Sequence, residues 1–546
     1  MPVKDYNIGC YLLQRLVKAG VGHLFGVPGD YNLRFLDDVT AQKDLEWVGC
    51  ANELNAAYAA DGYAKCRHLA AILTTYGVGE LSAVNGIAGA YAERNPVIHI
   101  VGGPATTTEK ARAIMHHTLG DGEYEHFLRM STEVSCATCH LNFDNAKAEI
   151  DRVIEAALFH KKPGYILLPM DVAVAPAEAP TTPLCFRDAP TSAEVLGAFE
   201  AAVEGLMKDA RSAVALIGHL CNRFGCSEAT QALVEESAMP FAHMLLGKGT
   251  LCEQSAQFVG TYYGKPSIAS VRETVEEADV CVIVGVKFHD LGTGFFSHKI
   301  DQARRIDIQP FESTVGDTTF SPLGMKDAVA AVRAIAKAHA GQWTNRPVPR
   351  PPAFPAPESD AFSMRHFWNE LQGGLREGDI VVVDQGTSSC SSAGLVLPKN
   401  GLLLSQALWG SIGYSLPAAF GAQVANPNRR VIVVVGDGAA AMTVQELGSF
   451  LRRGLRPIVF LVNNDGYVIE RVIHGWNEEY NDIASWDWCT VMKGMCGGKK
   501  AQIQVVKDTG LTADVLREHL APVKELVFSE VMLGRHEPPV VTLANW

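Results

Sequence analysis

Five consecutive β-branched residues, Val431-Ile432-Val433-Val434-Val435, run into Gly436-Asp437-Gly438, and a second apolar run, Ile458 to Val462, ends in Asn463-Asn464-Asp465-Gly466. A strand without a polar face has nothing to offer water on either side, so it must lie in a parallel sheet covered by helices on both faces. The residues between the two runs supply such a helix. Val444, Leu447 and Leu451 share one face, Arg452 and Arg453 meet the negative end, and Gly454 stops it. A right-handed crossover then brings GDG and NNDG to the carboxyl edge of one sheet. There a helix N-terminus and glycine amides can hold phosphate oxygens, and Asp437 and Asn464 offer hard oxygen ligands, which points to a Mg2+-bridged diphosphate. GDG alone is a common turn; its pairing with NN at this separation carries the specificity.

The same alternation recurs along the chain. EWVGC, AAILTT and VIHIVGG read as strands, with NELNAAYAADGYAK and ELSAVNGIAGAYAER as helices, and the strand-like GYILLPMDV follows. SAVALIG, MPFAHML, DVCVIVGV and RRIDIQ continue the pattern, as does DIVVVDQG before the VIVVVGDG and PIVFLVNN runs. Residues 174–184 and the proline-rich TNRPVPRPPAFPAPE at 344–358 read as linkers, the second an extended spacer. The expected architecture is α/β, with three doubly wound parallel-sheet domains at 1–180, 185–343 and 359–546.

A net charge of -13, without a Lys/Arg run, argues against a nucleic-acid partner. The N-terminal segment reads as an amphipathic helix with Ile8, Tyr11, Leu12, Leu16 and Val17 on one side, not as an export signal, and no stretch reaches membrane-spanning length. Thirteen irregularly spaced cysteines fit reduced thiols and a cytoplasmic location. Cys136-Ala-Thr-Cys139-His140 matches a haem-attachment pattern, but without an export signal buried or surface thiols are the better reading.

MHHTLGDG at 115–122 places His116 and His117 side by side. On a strand they would face opposite ways; in a loop both can enter one cleft and move protons near neutral pH. Two histidines in a row are, alone, equally a coincidence.

The chain resembles the thiamine diphosphate-dependent 2-oxo acid decarboxylases, the pyruvate and indolepyruvate decarboxylases and most of all the latter. HLFGVPGDYNL, ANELNAAYAADGYA, TTYGVGELSAVNGIAG, HHTLGDG, LWGSIGYSLPAAFGAQ and NNDGYVIERVIHG follow one another in the family order. The resemblance implies thiamine diphosphate and Mg2+ as cofactors, with Asp437, Asn464 and the Gly466 carbonyl as metal ligands. It implies that Glu53 binds N1′ of the pyrimidine, that Ile412 bends the cofactor, and that the Gly410 carbonyl accepts its 4′-amino proton. Thr75, Thr387, Gly436 and Gly438 resemble further cofactor contacts, and Asp30, His116, His117 and Glu470 the polar catalytic groups. A small-molecule 2-oxo acid would be attacked by the cofactor ylid and lose carbon dioxide, and the enamine left would be protonated to release an aldehyde. Glu53, in an alanine-rich helix, is expected to be buried with a raised pKa, and Glu470 to be raised by the substrate carboxylate. Homodimers or homotetramers with active sites at subunit interfaces are also implied.

Two departures bear on specificity. Ser389-Cys390-Ser391 stands where the family often has a bulky aromatic residue. Together with Ile469 these residues form the implied substrate pocket, and their small size favours aromatic, branched or long-chain acids such as indolepyruvate or phenylpyruvate unless neighbours fill the space. After EPPVVTLANW the family commonly continues into a helix that helps to close the site; here closure is expected to be looser, or made by a segment such as 471–490. The alternatives are a pyruvate decarboxylase, an acetolactate synthase-like carboligase, or a non-catalytic relative. The histidine pair and Glu470 speak for proton delivery and against the last two.

Overall fold

A computed structural model describes residues 6–344 and 354–541, so most of the proline-rich spacer lies outside the described residues. By packing, the chain forms two compact units: Met1–Arg187 with Leu416–Pro427 and Thr443–Leu455, and Asp188–Ser415 with Asn428–Met442 and Arg456–Trp546.

The first unit is built on a six-stranded parallel sheet in the spatial order Glu46–Gly49, His23–Gly26, Ala70–Thr75, Val97–Gly103, Gly164–Pro169, Ala137–His140. His23–Gly26 lies between the second and third strands of the sequence, so the crossovers reverse direction beside it. That reversal opens a crevice at the carboxyl ends of His23–Gly26 and Ala70–Thr75. The N-terminal helix Ile8–Lys18 is capped by Asn7, which accepts from Cys10 N, and buries Ile8, Tyr11, Leu12 and Leu16 as its spacing predicts, with Val17 half-buried. Helix Glu53–Arg67 runs against Leu416–Pro427 so closely that a Cβ on Gly62 would stand 2.1 Å from the Ala418 carbonyl oxygen. Only glycine permits that approach. Residues 174–184 are not a free linker: Ala175 and Ala177 bond the backbone of Ile8 and Tyr6, Thr182 accepts from Arg15, and Leu184 is buried.

The second unit holds two sheets. One has the order Thr318–Phe320, Ser313–Val315, Arg305–Ile308, Val280–Val284, Ala213–Ile217, Phe241–His243, Phe258–Thr261. The first two of these form an antiparallel edge that the expectation of an all-parallel sheet did not include. Where the crossovers reverse, a Cβ on Gly218 would lie 2.2 Å from the Gly285 carbonyl oxygen, so backbone closes that crevice. The other sheet is parallel throughout, ordered Leu402–Leu404, Ile380–Val383, Val431–Gly436, Ile458–Asn463, Leu526–Met532, Ala501–Val506. Its strand order repeats that of the first unit. Its crevice therefore opens after Ile380–Val383 and Val431–Gly436.

Three mostly parallel α/β sheets are thus present, as the apolar runs predict. Val431–Val435 and Ile458–Leu461 are fully buried, each large side chain contributing roughly 1.5–3 kcal/mol. Leu526–Met532 is an interior strand that periodicity misses because Ser529 and Glu530 interrupt it. The single helix expected after GDG is instead two, Asp437–Thr443 and Glu446–Arg453. The adjacent β-branched Thr443 and Val444 end the first piece, and Leu447 N turns back onto the Val444 carbonyl. Gly454 stops the second piece in a left-handed conformation, φ 66°, as expected. Cys139 is a buried residue on the edge strand Ala137–His140, and none of the thirteen cysteines forms a disulfide.

Candidate active site

In the first unit, strand His23–Gly26 leads into a tight turn, Asp30–Asn32, at the crevice. Gly29 passes so close to the end of the neighbouring strand that a Cβ would meet Thr75 Cβ at 2.5 Å, and Gly29 N donates to Asn32 Oδ1 at 3.0 Å. The turn thereby fixes Asp30. His116 Nε2 is 2.6 Å from Asp30 Oδ2, and His117 Nε2 lies 4.0 Å from Oδ1. The two imidazoles occupy a loop, their centroids 4.6 Å apart, so neighbours in sequence do face one carboxylate. His116 stacks on Tyr31 at 4.9 Å, and the Tyr31 hydroxyl donates to the His116 carbonyl.

His117 has φ 63°, an uncommon conformation for a residue with a side chain. Its carbonyl oxygen sits 2.0 Å from where a Cβ on Gly77 would be, so Gly77 must be glycine for this loop to pass. Gly77 N in turn donates to Glu80 Oε1 at 2.8 Å, and Tyr165 OH donates to Glu80 Oε2 at 2.7 Å. Burial pushes the Glu80 carboxyl up to about 7. The same turn carries Thr75, whose Oγ1 is buried without a hydrogen-bond partner, and Gly79, whose Cβ position lies 3.2 Å from Glu53 Oε1.

Glu53 is the first residue of helix Glu53–Arg67. The expectation that it is buried does not hold within this chain: it is half-buried, because a first-turn position at the mouth of a crevice lacks the cover of the helix interior. Glu446 supports that helix end, accepting from Ala51 N at 3.2 Å and Asn55 Nδ2 at 2.8 Å. Asp30, His116 and His117 are thus brought together directly, and Thr75 and Glu53 border the glycine turn that shapes the His117 loop.

In the second unit, strand Ile380–Val383 ends at Asp384, a buried carboxylate that accepts from Gln385 N, Gly413 N, Ser415 N and Ser415 Oγ. Burial pushes it up to about 6 against those four hydrogen bonds. Asp384 thereby pins the loop with Gly410, φ 74°, and the half-buried Ile412 next to the start of helix Thr387–Ser392. Thr387 is buried, and a Cβ on Gly386 would lie 3.5 Å from Ile469 Cγ2. Ser389 is buried as well, and Cys390 packs with Leu245, Tyr263, Ala393 and Ala407, with Ile469 against the same cluster.

Gly436 ends the next strand, and Asp437 opens helix Asp437–Thr443. Asp437 Oδ1 accepts from Gly438 N at 2.8 Å and Oδ2 from Gly466 N at 3.0 Å, so the GDG and NNDG segments are hydrogen-bonded across the strand ends. A Cβ on Gly438 would fall 2.4 Å from the Tyr467 ring. Asn464 is 3% exposed, and its Oδ1 is buried without a partner. The Gly466 carbonyl accepts from Val468 N at 3.0 Å and retains a second lone pair. A buried carboxylate, pushed up to about 6 by burial, beside an orphaned amide oxygen suits a hard divalent cation. The residues therefore fit Mg2+. Glu470 is exposed on helix Val468–His474, and the neighbouring Arg471 is buried against backbone carbonyls.

Glu80, Asp384, Glu446 and Arg471 are supporting residues that sequence reasoning did not single out. The capping spacing of Gly77 and Glu80 was a local signal for one of them; nothing local marks the others.

The fold and these two sets of strand ends are those of a thiamine pyrophosphate enzyme. Residues 6–123 match the thiamine pyrophosphate enzyme N-terminal TPP binding domain, 200–335 the central domain and 384–529 the C-terminal TPP binding domain. An alpha-keto-acid decarboxylase of Mycobacterium ulcerans is 45% identical over 538 residues, covering 98% of this chain and 94% of that protein. Those of Mycolicibacterium paratuberculosis (44% over 549 residues; 99% and 97%) and Mycobacterium tuberculosis H37Rv (45% over 543; 98% and 95%) are similar. The chain belongs to the thiamine diphosphate-dependent 2-oxo acid decarboxylase family and is an enzyme of that class.

Proposed function

We propose that the enzyme decarboxylates bulky 2-oxo acids, aromatic, branched or long-chain, to aldehydes, with Mg2+ and with sites shared between subunits of a homodimer or homotetramer. Thiamine diphosphate, when bound, supplies the sink for the electron pair released as carbon dioxide departs. The chain's own residues bind, orient and move protons. Asp437, Asn464 and the Gly466 carbonyl would hold the metal, and Gly436, Gly438 and Thr387 would line the diphosphate end. Gly410 and Ile412 would contact the cofactor from a loop that Asp384 fixes. Glu53 and Thr75 would hold the pyrimidine end, Glu53 offering a carboxyl that can hold or give up a proton there.

The observation that carries the decarboxylase reading is the Asp30–His116–His117 cluster, with its 2.6 Å contact and half-exposed imidazoles. Two imidazoles facing one carboxylate can pass a proton between them and so deliver the one that replaces carbon dioxide, a step that the carboligase alternative does not use. Glu470, exposed near the strand ends of the second unit, is also assigned to proton transfer. Support for bulky substrates comes from Ser389 and Cys390, although Leu245 and Tyr263 take up part of the space beside Cys390. Domain limits at 1–180, 185–343 and 359–546 and a cytoplasmic location belong to the same reading; no described helix is long and apolar enough to cross a membrane.

The test is kcat/KM for pyruvate, a branched long-chain 2-oxo acid, phenylpyruvate and indolepyruvate, with cofactor and Mg2+ supplied and aldehyde detected. A strong preference for the bulky acids is expected. A preference for pyruvate leaves the chemistry intact and rejects the pocket argument.

A further inference from the structure

Arg471 adjoins the proposed proton-transfer residue Glu470, yet it faces the other way and is 1% exposed. A buried guanidinium is costly unless its donors are used. Here the Nη donors converge on the turn that holds the proposed metal ligands, while Nε has no hydrogen-bond partner. Nη2 donates to the Asp465 carbonyl at 2.6 Å, to the Asn481 carbonyl at 3.3 Å and to Asp482 Oδ1 at 2.9 Å. Nη1 approaches the Asn464 carbonyl at 3.4 Å and the Arg535 carbonyl at 3.5 Å.

The turn is built around this group. Gly466 has φ 121°, and a Cβ there would meet Asn481 O at 2.4 Å and Arg471 Nη2 at 2.7 Å. Tyr467 N donates to the same Asn481 carbonyl at 3.0 Å. Arg535 closes the outside, pairing with Asp465 Oδ2 at 2.9 Å and with Asp482. The backbone carbonyls of Asn464 and Asp465 are drawn toward the guanidinium, whereas Asn464 Oδ1 has no partner and Gly466 N remains on Asp437. One set of oxygens anchors the turn, and the other is left for a cation.

We infer that Arg471 is a positioning residue for the metal half of the site, fixing the Asn464–Gly466 turn in the arrangement that binds Mg2+. This rests on the proposed roles of Asp437, Asn464 and Gly466. Groups that orient metal ligands from behind typically change metal affinity about 10- to 100-fold when removed. A bare positive charge would act oppositely and weaken the binding of a divalent cation. The two views predict opposite signs for Arg471→Met.

The full chain would be titrated with Mg2+ at fixed thiamine diphosphate, following quenching of tryptophan fluorescence, and its thermal midpoint measured without cofactor. Arg471→Met is expected to weaken apparent Mg2+ affinity about tenfold or more. Arg471→Lys keeps a charge and a long stem, so it retains the fold even where the methionine variant does not. Its single ammonium reaches fewer of the five acceptors, so it is expected to recover only part of the affinity. A lowered thermal midpoint with unchanged Mg2+ affinity in a folded variant would reduce Arg471 to a structural role, and tighter Mg2+ binding would show that its charge dominates; either overturns the inference. If the unaltered enzyme shows no Mg2+-dependent quenching, the metal assignment itself fails, separately from the behaviour of the variants.

Discussion

Glu80 offers the most direct check on how the His117 loop is held. Its carboxyl is 2% exposed, receives hydrogen bonds from Gly77 N and Tyr165 OH, and is raised from 4.5 to about 7 because burial disfavours its charge more than those bonds favour it. For an acid whose folded pKa is raised, the folded state holds the proton more tightly. The stabilisation is complete below the unfolded value and is lost as pH rises through the folded one. The gap corresponds to about 3 kcal/mol lost between roughly pH 4.5 and 7, of which about 2 kcal/mol falls between pH 5.5 and 8.

Glu80→Gln keeps the shape and an acceptor for Gly77 N but cannot ionise. Denaturant unfolding of both proteins from pH 5.5 to 8 should therefore show the variant gaining on the unaltered enzyme by about 2 kcal/mol across that range, whatever their offset at the acid end. Because Gly77 carries the His117 carbonyl in its missing Cβ position, the variant's kcat should also lose the part of its pH dependence that comes from this turn. A stability difference that stays constant with pH would refute the argument, since it would mean that Glu80 does not titrate in this range.

Three further outcomes are expected. Glu53→Gln should bind thiamine diphosphate poorly and lose roughly 10²- to 10⁴-fold in turnover; unaltered turnover would remove Glu53 from the chemistry. Asp384→Ala strips the acceptor from Gly413 N, Ser415 N and Ser415 Oγ, so cofactor affinity should fall and stability should drop by about 2–4 kcal/mol; calorimetry showing neither would mean that the Gly410–Ile412 loop holds itself. Cys390→Phe must displace Leu245 or Tyr263, costing about 1–3 kcal/mol, and should shift the kcat/KM ratio toward smaller acids; an unchanged ratio would separate Cys390 from the pocket.

The sequence by itself determined most of the segments that become interior strands and marked the short motifs proposed to carry the chemistry. Runs such as Val431–Val435 have only one way to hide both faces, and GDG, NNDG and HHTLGDG can be read because turn chemistry and residue type act within a few positions. Asp437 and the histidine pair could be singled out for that reason, whereas Glu53 was marked only by the family resemblance. Strand order was not. It alone places Gly29 against Thr75 and Asp437 against Gly466, so that a crevice opens at each of two sheets and is closed by backbone at the third. The break after Thr443, the half-buried state of Glu53 and the roles of Glu80, Asp384 and Arg471 also belong to the tertiary structure. Periodicity reports the average face of an element. Whether a charged side chain goes inside depends on donors and acceptors brought to it from elsewhere in the chain, and only the folded arrangement supplies those.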